Sequence, residues 1–383
     1  MLSSVYANLS GGIIVLKSFS VSGVRNFNEK VTLNLSETRE YRFNESNITN
    51  GIISNALIIG RNASGKTNLG VALGDIVYNF IQTSYTGDAA SLPEDNLYIN
   101  ADSKDGMAKF CYEFQFGADQ IVYAYEKDAP FSLKRESLIC NNDLVFDYNN
   151  ASRTMNRLGD MSLVGAEHLN WVDTDSVTSI LAYITNFVPS NRLGVLRKLR
   201  KYVSGMRMLR SERNRNIDSR NTILTRIIEA DMVGQFEEYL QHFKIDAKLQ
   251  VASRPDGLES VYFSHSERLI PFAEGCSSGT ETLLRLFSAL EMQTTPSFIY
   301  LDEFDAFCHY ELAESLISYF SGKTNVQTLC STHNTSLVKN ASMRPDCVFQ
   351  ITPTGIRSLA DSTERTIRMA NNVEKLLRGG EFN

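Results

Sequence analysis

The chain has 383 residues, 43% of them hydrophobic, with 44 acidic against 38 basic side chains and a formal net charge of −6. A length of this order holds two or three domains of about 150 residues with a substantial core. The acidic balance excludes a protein whose whole surface coats nucleic acid or anionic lipid, so any such contact has to come from a local patch.

Six cysteines (Cys111, Cys140, Cys276, Cys308, Cys330 and Cys347) are widely spaced and form no CxxC pair. They point to reduced thiols in a cytoplasmic protein, not to a zinc or redox centre. The run GGIIVL near the amino terminus has no basic flank and is far shorter than a membrane span or a signal core. No export and no membrane anchor are expected.

From Ile13 to Leu35 short apolar runs alternate, predicting a meander of strands, and residues 36–50 form a polar, Asn-rich loop. NALIIG then has the length of a buried strand, and LGVALGDIVYNFI places Leu69, Leu73, Ile76 and Phe80 at helical spacing. A polar loop follows around SYTGDAASLPEDN, residues 84–96, and MAKFCYEFQF with QIVYAYEK reads as a pair of strands. Residues 190–245 are charged and amphipathic, which predicts helices, whereas KLQVAS and LESVYFS predict a short β segment before a second α/β block.

Four stretches carry chemistry. Between the strand and helix just described stand Gly60, Arg61, Asn62, Ala63, Ser64, Gly65, Lys66, Thr67 and Asn68. The first eight fit GxxxxGK[ST]: glycines let backbone N–H groups wrap phosphates, the lysine reaches the terminal ones and the threonine ligates magnesium. A bare helix-initiating turn is the plain alternative, but a strand before and a helix N-terminus after are the context a phosphate loop requires.

In SFIYLDEFD four apolar residues deliver Asp302 and Glu303 to a strand end. Asp302 there holds magnesium through water and Glu303 stands where a general base takes a proton from water. NVQTLCSTHN is another apolar strand, ending at His333, which suits a hydrogen bond to a terminal phosphate or attacking water; a structural histidine is the alternative. In EGCSSGTETLLRLFSAL, Ser277, Ser278 and Gly279 open a helix and present amides and hydroxyls to an anion, or simply cap it.

With these four in order the chain resembles ATP-binding-cassette ATPases of the RecF, SMC and overcoming-lysogenization (OLD) branch. IVLKSFSVSGVRNFNE is similar to the branch's N-terminal strands with their Arg-Asn-Phe turn, GRNASGKT to its Walker A, SSGTE to its signature, YLDEFDAFCH with His309 to its Walker B and following loop, and STHN to its switch histidine. Thr280 stands where the signature's second glycine is usual, and Gln115 is the candidate for the glutamine of the Q-loop. VEKLLRGGEF is similar to tails of bacterial ATPases of abortive infection and phage defence.

The resemblance implies an α/β fold: a P-loop NTPase of ABC-ATPase head type, a mixed sheet with helices, plus an inserted mainly helical lobe. Residues 1–125 and 265–383 form the head, and 126–264 the lobe. It also implies ATP and Mg2+ as cofactors, and a homodimer or higher homo-oligomer in which the signature of one protomer closes on the ATP of the other. Within the lobe, Arg192, Arg197, Lys198, Arg200, Lys201, Arg207, Arg210, Arg213 and Arg215 are opposed only by Glu212. That run grips nucleic acid phosphates, meets an acidic partner or is a solvated helix face; Tyr202 is its one candidate for base stacking.

Three functions remain open. The first is a switch ATPase controlling a separate effector, a nuclease or toxin, in anti-phage defence. It is suggested because OLD proteins carry a nuclease domain after the ATPase, whereas here a β-hairpin (CVFQITPTGIRSLA) and a helix with Glu364–Arg368 and Glu374–Arg378 pairs follow STHN. The second is a RecF-like repair ATPase clamping duplex DNA. The third, the motor subunit of a transporter, is disfavoured by the SSGTE wording and the inserted lobe.

Overall fold

The structure, a computed structural model, describes residues 14–81, 98–168, 179–210, 217–254, 256–266, 268–292, 295–323 and 325–382. The polar loop at 84–96 and Glu212, Arg213 and Arg215 of the basic run lie outside these residues. The chain divides into two compact units, one of Met1–Leu209, Ser297–Asp302 and Ser321–Asn383, the other of Arg210–Pro296 and Glu303–Phe320.

In the first unit β1 (Ile14–Ser22) and β2 (Val31–Asn34) pair antiparallel, as the alternation predicts. A two-rung hairpin, β3 (Ile48–Thr49) and β4 (Ile52–Ile53), leads into β5 (Asn55–Ile59) and α1 (Lys66–Ile81). Next come β6 (Ala108–Phe116), β7 (Asp119–Ala129), β8 (Ser132–Cys140), β9 (Asp143–Asn149) and β10 (Thr154–Leu158). With β1 and β2 these make a seven-stranded antiparallel sheet in the order β10-β9-β8-β7-β6-β1-β2. Ala108, Phe110, Tyr112, Phe114 and Phe116 of β6 are all buried while every second residue is not, the period-two signature of a half-buried sheet.

The sequence expectation of a largely helical lobe from residue 126 is corrected here, because β7 runs through Glu126 and three further strands extend the sheet before the first lobe helix. What hides them is charge on the inner face. Lys127 donates at 2.7 Å to the fully buried Asp75 of α1, which also accepts from the hydroxyls of Tyr98 and Tyr125 at 2.7 Å each. Glu136 of β8, also fully buried, accepts from Tyr123 at 3.0 Å and from the amide of Ile180 at 2.5 Å, capping α2 (Ile180–Phe187) from a distant strand.

The second sheet of this unit contains β11 (Met206–Arg210), β15 (Phe298–Asp302), β16 (Gln327–Thr332), β17 (Val348–Thr352) and β18 (Gly355–Ser358), in the order β11-β15-β16-β5-β17-β18. β15, β16, β5 and β17 are parallel neighbours, and β17–β18 is the expected hairpin. All five residues of β5, all five of β15 and all six of β16 are buried, as strands covered on both faces of a parallel sheet are, although β16 (QTLCST) is largely polar.

α3 (Val195–Ser204) buries Leu196, Leu199, Tyr202 and Val203 and exposes Arg197, Arg200 and Lys201. The helical reading of residues 190–245 breaks after Ser204, because Gly205 closes against Ser297, whose amide donates to the Gly205 carbonyl at 3.0 Å, and the chain enters β11. Tyr202, expected as a stacking aromatic, is fully buried, and its hydroxyl donates to Gln327 at 2.9 Å.

Gln327 opens β16 with its amide fully used. Its oxygen accepts from the Leu16 amide (2.9 Å) as well as from Tyr202, and its nitrogen donates to the carbonyls of Leu16 (2.9 Å) and Ile53 (2.8 Å). One side chain thus joins β1, β4, α3 and β16. Gln327→Leu, close in volume, orphans these buried groups and is expected to cost about 2–4 kcal/mol, read as a lower denaturant midpoint with an unchanged slope.

At the carboxyl end α9 spans only Val373–Arg378, with a Glu374–Arg378 pair at 2.8 Å. The Glu364–Arg368 spacing is not helical: the Asn340 side chain donates to the carbonyls of Arg368 (2.9 Å) and Asn371 (3.1 Å), holding that segment in an extended turn.

The second unit holds α4 (Ile217–Glu229), α5 (Val233–His242), an antiparallel sheet of β12 (Leu249–Ser253), β13 (Glu259–His265) and β14 (Arg268–Pro271), and the short α6 (Phe272–Gly275). α7 (Ser278–Glu291) and α8 (Tyr310–Ser321) complete it. Its core is aromatic, with Phe236 packing on Phe272 (5.5 Å between ring centres) and on Phe287 (5.0 Å). No helix among the described residues is long and apolar enough to cross a membrane.

Candidate functional site

In the first unit β5 ends at Ile59 and the loop Gly60–Gly65 turns the chain into α1. Two of its residues have left-handed backbones: Gly65 at φ 111° and Ala63 at φ 62°, a conformation that costs energy for a residue with a Cβ and is concentrated at functional loops. A Cβ on Gly65 would lie 2.7 Å from the Asn26 amide nitrogen and 2.8 Å from the Phe27 ring. Arg61, Asn62 and Ala63 are exposed, whereas Ser64, Gly65 and Lys66 are buried. The Lys66 ammonium lies across the loop, donating to the carbonyls of Gly60 (3.0 Å) and Arg61 (3.2 Å).

Strand order brings the acidic strand to this loop. β16 lies between β5 and β15 with Leu301 opposite Cys330 and Thr332 opposite Ile59, so the three carboxyl ends align. Asp302, 5% exposed, accepts from Thr67 Oγ1 at 2.6 Å through one oxygen and from Ser331 Oγ at 2.7 Å through the other. Tyr300, two residues before it, donates to the Lys66 carbonyl at 2.6 Å, and its ring lies so close beneath Gly70 that a Cβ there would be 2.6 Å away. Burial, then the nearby Asp302 charge, pushes the Tyr300 phenol well above its ordinary pKa, which keeps it a donor. His333 follows β16 and is exposed.

A hydroxyl and a carboxylate oxygen 2.6 Å apart are hard oxygen donors of the kind magnesium takes. Thr67 and Asp302 therefore fit that ion, which when bound neutralises charge on the phosphates.

The Arg-Asn-Phe turn does more than the sequence assigned to it. Asn26 donates to the Ser64 carbonyl (3.3 Å) and accepts from Asn68 (2.6 Å), whose own oxygen accepts from Arg25 (2.9 Å). It clasps the phosphate loop from β1. Gln115, the Q-loop candidate, instead donates to the carbonyls of Gly117 (2.7 Å) and Asp119 (3.2 Å) in the β6–β7 turn. Ser331 and Tyr300 also serve the site, and their one sequence signal is a polar side chain inside TLCST and FIYLD.

In the second unit Ser277 caps α7, accepting from the Thr280 amide at 3.2 Å. Ser277 and Ser278 are exposed, and Ser278 donates to the Phe307 carbonyl at 3.1 Å. Glu281, in the first turn, is held by Arg220 of α4 at 2.5 Å and by Arg285 at 3.2 Å, and Arg220 also reaches the Ala273 carbonyl at 2.6 Å. Glu303 opens the chain's return into this unit at φ 48° and is half-buried, a left-handed backbone at a predicted functional position, like Ala63 and Gly65. His309 is exposed before α8, its carbonyl accepting from the amides of Leu312 and Ala313 at 3.0 Å.

Residues 190–339 match the family model described as AAA domain, putative AbiEii toxin, Type IV TA system. The match takes in Ser277–Glu281, the Asp302–Glu303 pair and His333, while the loop at 60–67 stands outside it. Beside that match the chain has the GxxxxGK[ST] loop of a P-loop fold at the end of β5 in a mixed sheet.

Solved structures similar to it include the SMC head domain from Thermotoga maritima (17% identity, 90% of this chain and 98% of that one, TM-score 0.45). Another is the Smc head with an extended coiled coil bound to the C-terminal domain of ScpA from Pyrococcus furiosus (11% identity, 96% and 99%, TM-score 0.47). A third is an Smc head bound to the C-winged helix domain of ScpA (15% identity, 90% and 97%, TM-score 0.45). No curated protein matches the sequence.

Proposed function

We propose that the protein is a nucleotide-driven dimeric switch: two copies close on ATP, hydrolysis releases them, and the closed state controls a separate effector in anti-phage defence. The observation that carries the reading is the 2.6 Å contact of Thr67 with Asp302, which joins the phosphate loop to the acidic strand across 235 residues of sequence.

In this reading the amides of residues 60–68 wrap the phosphates and Lys66 turns from the loop carbonyls to the terminal phosphate. Thr67 and Asp302 hold magnesium. Glu303 takes the proton of the attacking water, and His333 hydrogen-bonds the terminal phosphate or that water. Ser277, Ser278 and Gly279 of one protomer meet the nucleotide of the other, so ATP binds the closed pair better than the open one and shifts the population. The defence role draws on the family description, which names a putative toxin of a type IV toxin–antitoxin system.

Lys66→Ala removes the charged donor and is expected to weaken ATP binding by about 10- to 100-fold, the worth of a charge-assisted hydrogen bond. Equilibrium titration with a fluorescent ATP analogue checks it, and equal affinity in parent and variant rejects the phosphate-loop assignment.

A second reading, a RecF-like clamp on duplex DNA, is favoured by one feature: Arg192, Arg197, Arg200 and Lys201 are exposed on or beside α3 in an acidic protein. ATP turnover raised several-fold by plain duplex DNA supports the clamp; indifference to DNA, with co-purification of a partner protein, supports the switch.

A further inference from the structure

Asp302 has two oxygens with different tasks, and only one faces the phosphate loop. Oδ2 meets Thr67, while Oδ1 accepts from Ser331 Oγ at 2.7 Å. Ser331 is fully buried, and Asp302 is 5% exposed. A carboxylate on an sp³ stem rotates freely about its last bond unless something holds it, and a buried hydroxyl on one oxygen fixes the plane and therefore the direction of the other. Ser331 is itself held in place by β16, whose Cys330 and Thr332 pair with Leu57 and Ile59 of β5. Tyr300 supplies the matching restraint on the other partner, since its bond to the Lys66 carbonyl at 2.6 Å fixes the first turn of α1, where Thr67 stands.

We propose that Ser331 is a positioning residue for the metal that accompanies the nucleotide: it aims the Asp302 carboxylate at Thr67 and so sets the affinity of that pair for a divalent cation. The inference rests on the reading of Thr67 and Asp302 as the magnesium ligands. In this reading Ser331 touches neither nucleotide nor cation and acts through Asp302, whose Oδ1 it holds. Its loss therefore weakens the cation and leaves metal-free nucleotide binding intact, a split that a merely structural role does not produce.

The test uses the full chain and two readouts other than turnover: binding of Mn2+ in the presence of ATP, followed by electron paramagnetic resonance, and binding of a fluorescent ATP analogue in EDTA. In Ser331→Ala the Mn2+ concentration for half-saturation is expected to rise about 10-fold or more, the usual effect of losing a group that orients a metal ligand, with nucleotide affinity in EDTA unchanged. Ser331→Cys, of nearly the same volume but a weak donor, carries the same test if the alanine variant does not fold. An unshifted Mn2+ midpoint, or an equal loss in both readouts, overturns the proposal. If the parent itself binds the analogue no better with Mn2+ than in EDTA, the metal-site reading fails, and this inference with it.

Discussion

Glu303→Gln is expected to bind ATP as the parent does and to hydrolyse it about 10²- to 10⁴-fold more slowly, the range a general base supplies. Glutamine keeps the shape of the side chain and its hydrogen-bonding reach but cannot take a proton from water. Because closure precedes hydrolysis in the proposed cycle, the variant should also accumulate with ATP as a closed pair, seen by light scattering as at least a doubling of mass. The backbone of Glu303 adds a control. At φ 48° it is in a region that glycine occupies more readily, so Glu303→Gly is tolerated by the turn and separates loss of the carboxylate from loss of the fold. Hydrolysis by Glu303→Gln at the parental rate would remove Glu303 from the role of base.

Asp75→Asn is expected to destabilise the protein by about 3–5 kcal/mol, the cost of leaving one member of a buried ion pair without its counter-charge. Lys127 is 1% exposed and Asp75 fully buried, so the ammonium has no route to water when the carboxylate is neutralised. The asparagine keeps one acceptor oxygen and turns an amide nitrogen to the other side, so one of the hydrogen bonds from Tyr98 or Tyr125 is lost along with the charge. Adding Lys127→Met should restore most of it, since a buried pair replaced on both sides is often neutral. Chemical denaturation of the two single variants and the double variant measures the coupling; additive losses would mean that the pair does not act as a unit.

The same pair shows why part of the fold was hidden in the sequence. The strand, loop and helix around Gly60–Lys66 were legible because NALII is wholly buried and the glycines mark the turn. So were β6 and the start of β7, whose inner residues are apolar. Beyond Glu126 the buried positions include Lys127 and Glu136, and a pattern of apolar alternation passes over a strand whose inward residues are charged.

The basic run misled in another way. Arg207 and Arg210 continue the charge of α3, but Gly205 has already turned the chain into a sheet edge, so charge ran on where backbone did not. At the candidate site, Asp302 and Thr67 could be named from their motifs. That β16 separates their strands, and that Ser331 holds Asp302, follow from a strand order that no local pattern encodes.

Gln327 and Ser331 stand four residues apart on the same strand and therefore on the same face. A slip of β16 by one residue would turn both to the opposite side and leave Asp302 against Cys330 or Thr332. The glutamine amide, locked to three other segments, acts as a stop against that slip. It sets the frame in which the distant end of the strand is read, so a change roughly 13 Å from the acidic pair alters which atom the carboxylate meets there.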